Sequence, residues 1–235
     1  MHDDIFSICV RSIKQLRKYI WRSRILTNTM LEKMTKGKIY FVRHGQTYAN
    51  IDKVWHGQTD TELSPDGYEQ TRKLGAYFSN YIHPDVIYSS PLQRARITAE
   101  AIATSFGLMV THDPRLMELD LGDWEGVTFE SLRQEDNNAM AELVNNPDYC
   151  SPNGESQNVV KLRMVEAIDD ITAKHQNENI IIVSHGVAIS IAIAHYLDND
   201  TTQWPKYSKS NTAFSELCLS TKQLLRFNET HHLEP

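Results

Sequence analysis

From Lys38 onward, short apolar runs alternate with longer stretches in which apolar residues recur every three or four positions. The run from Lys38 to Val42 and the run Ile180-Ile181-Ile182-Val183 are too short for buried helices and show no polar alternation. They read as strands over 38–43 and 180–184, buried on both faces. Val86-Ile87-Tyr88 and Met109-Val110-Thr111 read as two further short strands, and Phe214 to Leu219 with Gln223 to Phe227 as a closing hairpin. Between them the helical pattern recurs. One helix starts at Ser64-Pro65, with Ser as N-cap and Pro at the first helical position, and runs to about Tyr81. Others span Leu92 to Phe106, closed by Gly107; Thr128 to about Val144, ending ahead of Pro147; and about Glu155 to His175. A small, apolar helix follows His185 and is expected to be buried. Residues 45–63, 112–127 and 150–154 read as loops. Strands alternating with helices predict a mainly parallel sheet with helices on both faces, an α/β/α sandwich of three layers.

Two histidines fall at equivalent places in this pattern. Arg43-His44-Gly45 ends the first strand and Ser184-His185-Gly186 ends the strand 180–184. In open α/β sheets ligands bind beyond the carboxyl ends of the strands. A neutral imidazole there is a candidate nucleophile, and the Arg43 guanidinium is a planar fork of donors suited to phosphate oxygens. Ser90-Pro91 starts a helix whose first turn carries Arg94, a cation at the positive end of a helix dipole, which is awkward unless an anion binds. The acidic loop Glu118-Leu119-Asp120-Leu121-Gly122-Asp123-Trp124-Glu125 could supply a carboxyl to protonate a leaving oxygen, and a phosphate beside it would favour the protonated form. Together these are the parts of a phosphoryl-transfer site.

Charge narrows the partners. Residues 1–33 hold seven Lys/Arg and three Asp/Glu, a net of +4; the remaining residues hold 17 and 27, a net of −10. An acidic body argues against nucleic-acid binding but is compatible with a small anionic substrate held by a local arginine cluster. The segment 1–33 is patterned as a basic amphipathic helix. It reads as a dispensable accessory extension, with membrane-surface binding the weaker alternative. A single domain is expected over 34–235. The three cysteines form no metal-ligand spacing and read as reduced thiols of a cytoplasmic protein. No run approaches the roughly 18 apolar residues of a membrane span. Either a monomer or a homodimer is compatible with the chain.

Five blocks in order carry a resemblance: Arg43-His44-Gly45-Gln46-Thr47 with Asn50; Ser90-Pro91-Leu92 with Arg94-Ala95; Glu118 ahead of Gly122-Asp123-Trp124-Glu125-Gly126; Gly154-Glu155-Ser156; and Ser184-His185-Gly186. Over about residues 38–230 the chain resembles the histidine phosphatase superfamily, also called the phosphoglycerate mutase-like family. The resemblance implies that His44 is phosphorylated and that Arg43, Arg94 and His185 bind the phosphoryl group. It implies that Glu118 is the general acid and then the base, that Asn50 is a donor at the pocket rim, and that no metal or organic cofactor is needed. Gln46, Thr47, Gly57 and Gln58 are expected to touch substrate, and Trp55, His56, Trp124, Phe129, Met140 and Tyr149 to shape the rim. Leu121 stands where the mutases resemble one another in a Tyr, and the stretch from Gly126 to Gly154 is short. The resemblance therefore favours a phosphomonoester hydrolase acting on a small phosphorylated metabolite, ahead of a phosphoglycerate mutase. A non-catalytic phospho-ligand-binding module has no need of both His44 and Glu118.

Overall fold

The computed structural model describes residues 37–135, 137–218, 221 and 223–234. The basic segment 1–33 lies outside the described residues. The strands are β1 (Ile39–Arg43), β2 (Val86–Ser89), β3 (Val110–His112), β4 (Ile180–Ser184), β5 (Phe214–Cys218) and β6 (Gln223–Glu229). The helices are α1 (Tyr48–Asp52), α2 (Pro65–Tyr81), α3 (Gln93–Thr104), α4 (Phe129–Glu135), α5 (Asn137–Asn145), α6 (Gln157–Lys174) and α7 (Gly186–Asp198). The strand order is β3-β2-β4-β1-β5-β6. The first four strands are parallel, and β5 and β6 add an antiparallel hairpin beside β1.

Alternation along the central strands sorts their side chains into two cores, one on each face of the sheet. Ile39 and Phe41 of β1 join Ile180 and Ile182 of β4 in one core, with Val160, Met164, Ala167, Ile168 and Ile171 of α6. That spacing places the α6 residues on one helical face. Tyr40 and Val42, with Ile181 and Val183, join the other core, against Leu74 and Phe78 of α2 and Ala95, Ala99 and Ile102 of α3. As expected from its composition, α7 is buried through the seven consecutive residues Ala188 to Ala194.

One difference from the sequence reading concerns local structure. The loop 45–63 contains the short helix α1, which Thr47 and Asn50 start with a reciprocal capping box: the Asn50 amide donates to Thr47 Oγ1 and the Thr47 amide to Asn50 Oδ1. Five residues of helix with a polar cap leave no periodicity to read. The helix expected from Thr128 to about Val144 is described as α4 and α5, helical at every described residue from 129 to 145.

Candidate active site

The register of β1 against β4 sets the first pair of residues. Arg43 pairs with Ser184, and the ladder continues one step further, the His44 amide donating to the Ser184 carbonyl at 3.1 Å. His44 and His185 therefore leave adjacent strand tips side by side, with ring centroids 5.2 Å apart. Both are almost wholly buried.

His44 Nδ1 lies 2.7 Å from the Gly45 carbonyl oxygen. A carbonyl only accepts, so Nδ1 carries the proton and the Nε2 lone pair is left for chemistry. Burial, and then the Arg94 and Arg43 charges, hold the His44 imidazole well below its ordinary pKa, hence neutral.

Arg94 is fully buried in the first turn of α3. Its Nη2 donates to the Gly57 carbonyl at 2.6 Å, its Nη1 to the Thr59 carbonyl at 2.9 Å, and its Nε to His185 Nδ1 at 3.2 Å. Burial brings its pKa down to about 10, so it stays a cation at neutral pH. Arg43 donates through Nη1 to the Lys209 carbonyl, while its Nε is buried with no protein acceptor. Such an orphaned, charged donor beside a nucleophile suits an anion. His185 spends both ring nitrogens within the protein: Nδ1 accepts from Arg94, and Nε2 lies 2.8 Å from Ser90 Oγ.

Glu118 sits across the N-terminus of α7. Its Oε1 accepts from the Ala188 amide at 2.8 Å and its own neighbour Leu119 at 2.9 Å, and its Oε2 accepts from Val187 at 3.1 Å. The backbone around it is clamped by Arg163, which donates to the carbonyls of Arg115, Met117 and Glu118 at 2.9, 2.6 and 2.8 Å. Glu155 holds Arg163 in turn through a two-pronged pair at 3.0 and 2.7 Å.

These groups surround a cavity of about 410 Å³. Of the residues the sequence proposed, Arg43, His44, Asn50, Arg94, Glu118, Trp55, His56 and Phe129 line it. Gln46, Thr47, Gly57 and Gln58 do not line it. The Gln46 side chain receives the Ser64 hydroxyl, and its amide donates to Gln70, tying the loop to α2. Thr47 caps α1. Gly57 supplies a carbonyl to Arg94 at a place where a Cβ would stand 2.3 Å from the Leu119 carbonyl oxygen. The Gln58 side chain donates to the Glu118 carbonyl at 3.2 Å. These contacts build the loop. Trp124, Met140 and Tyr149 pack in or against the core and are absent from the cavity wall.

The sequence reading missed other residues. Asn211 donates to the His44 carbonyl and to Asn50 Oδ1, both at 3.1 Å, and Trp204 and Ser208 join it in the wall from the segment after α7. Glu125 accepts from the amides of Gln58 and Thr59 at 2.7 and 2.8 Å and so fixes the carbonyls that Arg94 grips. Its burial alone would raise its pKa, but these hydrogen bonds and that of the Thr59 hydroxyl outweigh burial and lower it. Among the described residues no cluster of three or more His, Cys, Asp or Glu is placed to hold a metal ion, and no helix is long and apolar enough to cross a membrane.

A neutral imidazole with an unprotonated nitrogen beside two buried arginines, at the strand tips of a mainly parallel sheet, has the chemistry of a phosphoryl-transfer site. The family model of the histidine phosphatase superfamily, branch 1, matches residues 39–230, and the chain belongs to that superfamily. Phosphoserine phosphatase 1 of Hydrogenobacter thermophilus is 29% identical over 199 residues, which is 83% of this chain and 94% of that protein. A probable phosphoglycerate mutase of Erwinia tasmaniensis is 35% identical over 161 residues, 68% of this chain and 74% of its own length. Among solved structures, the phosphoserine phosphatase of Entamoeba histolytica in complex with 3-phosphoglyceric acid superposes with a TM-score of 0.76 at 31% identity, covering 84% of this chain and all of that one.

Proposed function

We propose that this protein hydrolyses a small phosphate monoester through a phosphohistidine at His44. The observation that carries the reading is the His44 tautomer: Nδ1–H is bonded to the Gly45 carbonyl, and Nε2 is free beside Arg43 and Arg94. In the first step Nε2 attacks phosphorus, the phosphorus–oxygen ester bond breaks, and the leaving oxygen takes a proton from protonated Glu118. The two guanidinium groups hold the non-bridging oxygens as charge redistributes among them. In the second step water attacks the phosphohistidine, the nitrogen–phosphorus bond breaks, and Glu118 takes the proton back. Its three backbone donors hold the carboxyl in place for both steps. The match to phosphoserine phosphatases supports hydrolysis, and the match to a probable phosphoglycerate mutase supports the second reading, in which the phosphohistidine passes its group to another hydroxyl.

One experiment separates them. Protein mixed with 3-phosphoglycerate and, in parallel, with nitrophenyl phosphate is quenched in base and then shifted to acid. A base-stable, acid-labile phosphoadduct at His44, followed by stoichiometric inorganic phosphate carrying one oxygen from labelled water, is expected. Conversion of 3-phosphoglycerate to its 2-isomer faster than phosphate release would establish the mutase. An adduct at another residue, or turnover that survives His44→Ala, would overturn both.

A further inference from the structure

The cavity is charged at one end only. Among its described lining residues the cations are Arg43 and Arg94, and both lie at His44. A substrate phosphate uses them both. The other acid–base group in the wall beside the histidines is the Glu118 carboxyl, which offers a second anion no positive charge. His56 also lines the cavity, but burial, followed by the Arg94 charge, brings its pKa down to about 4, so it is neutral at pH 7. The rest of the described wall is uncharged: it includes Trp55, Phe129 and Trp204 among aliphatic residues, with the neutral polar groups Asn50, Ser208 and Asn211.

Three separate segments bring the aromatic rings together. The segment ending at Trp55 pairs with 126–129: the Trp55 amide donates to the Val127 carbonyl at 2.9 Å, and the Phe129 amide to the Lys53 carbonyl at 3.2 Å. This sets the Trp55 and Phe129 rings 4.2 Å apart, tilted by 56°. Trp204 arrives from the 3-10 turn Thr201–Tyr207 that follows α7. A carboxylate or second phosphate against such a wall would lose its hydration and meet no cation among the described lining residues, only uncharged donors such as Asn50, Asn211 and the unpartnered indole N–H groups of Trp55 and Trp204; an uncharged ring would bury apolar surface and leave those donors to its hydroxyls.

We propose, resting on the hydrolase reading above, that the preferred substrate class is the phosphate monoester of an uncharged, ring-bearing alcohol, bound against Trp55, Phe129 and Trp204. Esters that carry a carboxylate or a second phosphate are poor substrates. The volume of about 410 Å³ fits a phosphate with a ring better than a three-carbon acid, which leaves the aromatic end unfilled.

The test compares kcat/KM of the full chain on esters whose leaving groups are all alkyl alcohols, so that leaving-group basicity does not decide the order: benzyl phosphate, glycerol phosphate, 3-phosphoglycerate and phosphoserine. Benzyl phosphate is expected to exceed glycerol phosphate by about tenfold through KM, the scale for burying a ring. Glycerol phosphate should in turn exceed 3-phosphoglycerate. Trp204→Arg should lower benzyl phosphate turnover and narrow the gap to 3-phosphoglycerate by at least about tenfold, since it removes a ring and supplies the missing cation. If 3-phosphoglycerate or phosphoserine equals or exceeds benzyl phosphate in the unaltered protein, this inference is overturned while the hydrolase reading stands. If none of the four esters releases phosphate, the hydrolase reading fails and the inference with it.

Discussion

Arg94 Nε donates to His185 Nδ1 at 3.2 Å. An arginine can only donate, so Nδ1 of His185 is unprotonated and its Nε2–H faces Ser90 Oγ, 2.8 Å away. The ring thus braces the guanidinium that grips the loop at Gly57 and Thr59, and burial, with the Arg94 charge next, holds it well below its ordinary pKa. Asparagine can place a carbonyl oxygen near the position of Nδ1, and leucine cannot. His185→Leu is expected to cost kcat about 10²–10³-fold, the scale of losing one charge-stabilising donor. His185→Asn should recover at least about tenfold of that. Equal losses in both variants would mean that the ring's own N–H, offered to the phosphoryl group, is what matters.

Leaving-group dependence tests Glu118. Glu118→Gln should cripple hydrolysis of alkyl phosphates by about 10²–10⁴-fold and affect nitrophenyl phosphate far less in the phosphorylation step, because nitrophenolate leaves without a proton. Burst kinetics on both esters give the comparison. Equal loss of the burst rate on the two would move the acid elsewhere, with Asp120 the next candidate.

Arg163 donates to the carbonyls of Arg115, Met117 and Glu118 and to the Glu155 carboxylate. Arg163→Met should reproduce the Glu118→Gln selectivity in weaker form and lower stability by about 3 kcal/mol, since it strands a largely buried carboxylate. Arg163→Lys should rescue little, because a point charge cannot span three carbonyls and a carboxylate. Denaturant unfolding read beside the two-ester assay separates a positioning role from a purely structural one, which would leave the selectivity untouched.

Gly57→Ala asks whether the Arg94 grip depends on close approach. The added carbon would stand 2.3 Å from the Leu119 carbonyl oxygen and 2.8 Å from the Leu121 amide, both backbone atoms. The loop must move, and the carbonyl held by Arg94 moves with it. A stability loss of about 1–3 kcal/mol is expected, with kcat reduced. Thermal unfolding and steady-state kinetics check the pair, and unchanged values in both would show that the loop yields freely.

The buried histidines also set a pH window. His44, His56 and His185 all bind protons more weakly folded than unfolded, mainly through burial. Below an unfolded pKa of about 6.5 the unfolded chain therefore holds more protons than the native one. The stability they contribute is whole above that pH and is lost progressively as pH falls toward the folded values, about 4 for His56. The unfolding midpoint in urea should decline from pH 6.5 to 4.5. At saturating substrate, kcat should stay flat through pH 6.5, because His44 is already neutral there. A kcat that halves near pH 6.5 would show an exposed, ordinary histidine.

Strand tips and helix starts made much of the arrangement legible in the chain. Arg43, His44 and Arg94 sit where period and capping signals change, and those changes are local. Arg163 lay in plain view on a helical face, yet nothing nearby marks it, because its partners are carbonyls 45 to 48 residues away. Asn211 and Trp204 belong to an irregular stretch with no period to interpret, and only packing onto α7 brings them to the cavity. Gln46 and Gln58 show what a pattern along the chain leaves out: their side chains bond Ser64 and the Glu118 carbonyl, because a loop that must hold its shape spends polar groups on itself.

The pairing of Arg43 with Ser184 makes catalysis a reporter of folding. A slip of β1 by one residue would turn His44 to the opposite face of the sheet, and a slip of two would carry it about 6.6 Å from its partner. Spectroscopic helix content would scarcely register either fault. Recovered enzymatic turnover after refolding would therefore count the molecules whose central ladder has zipped in the native frame, a quantity that bulk optical probes average away.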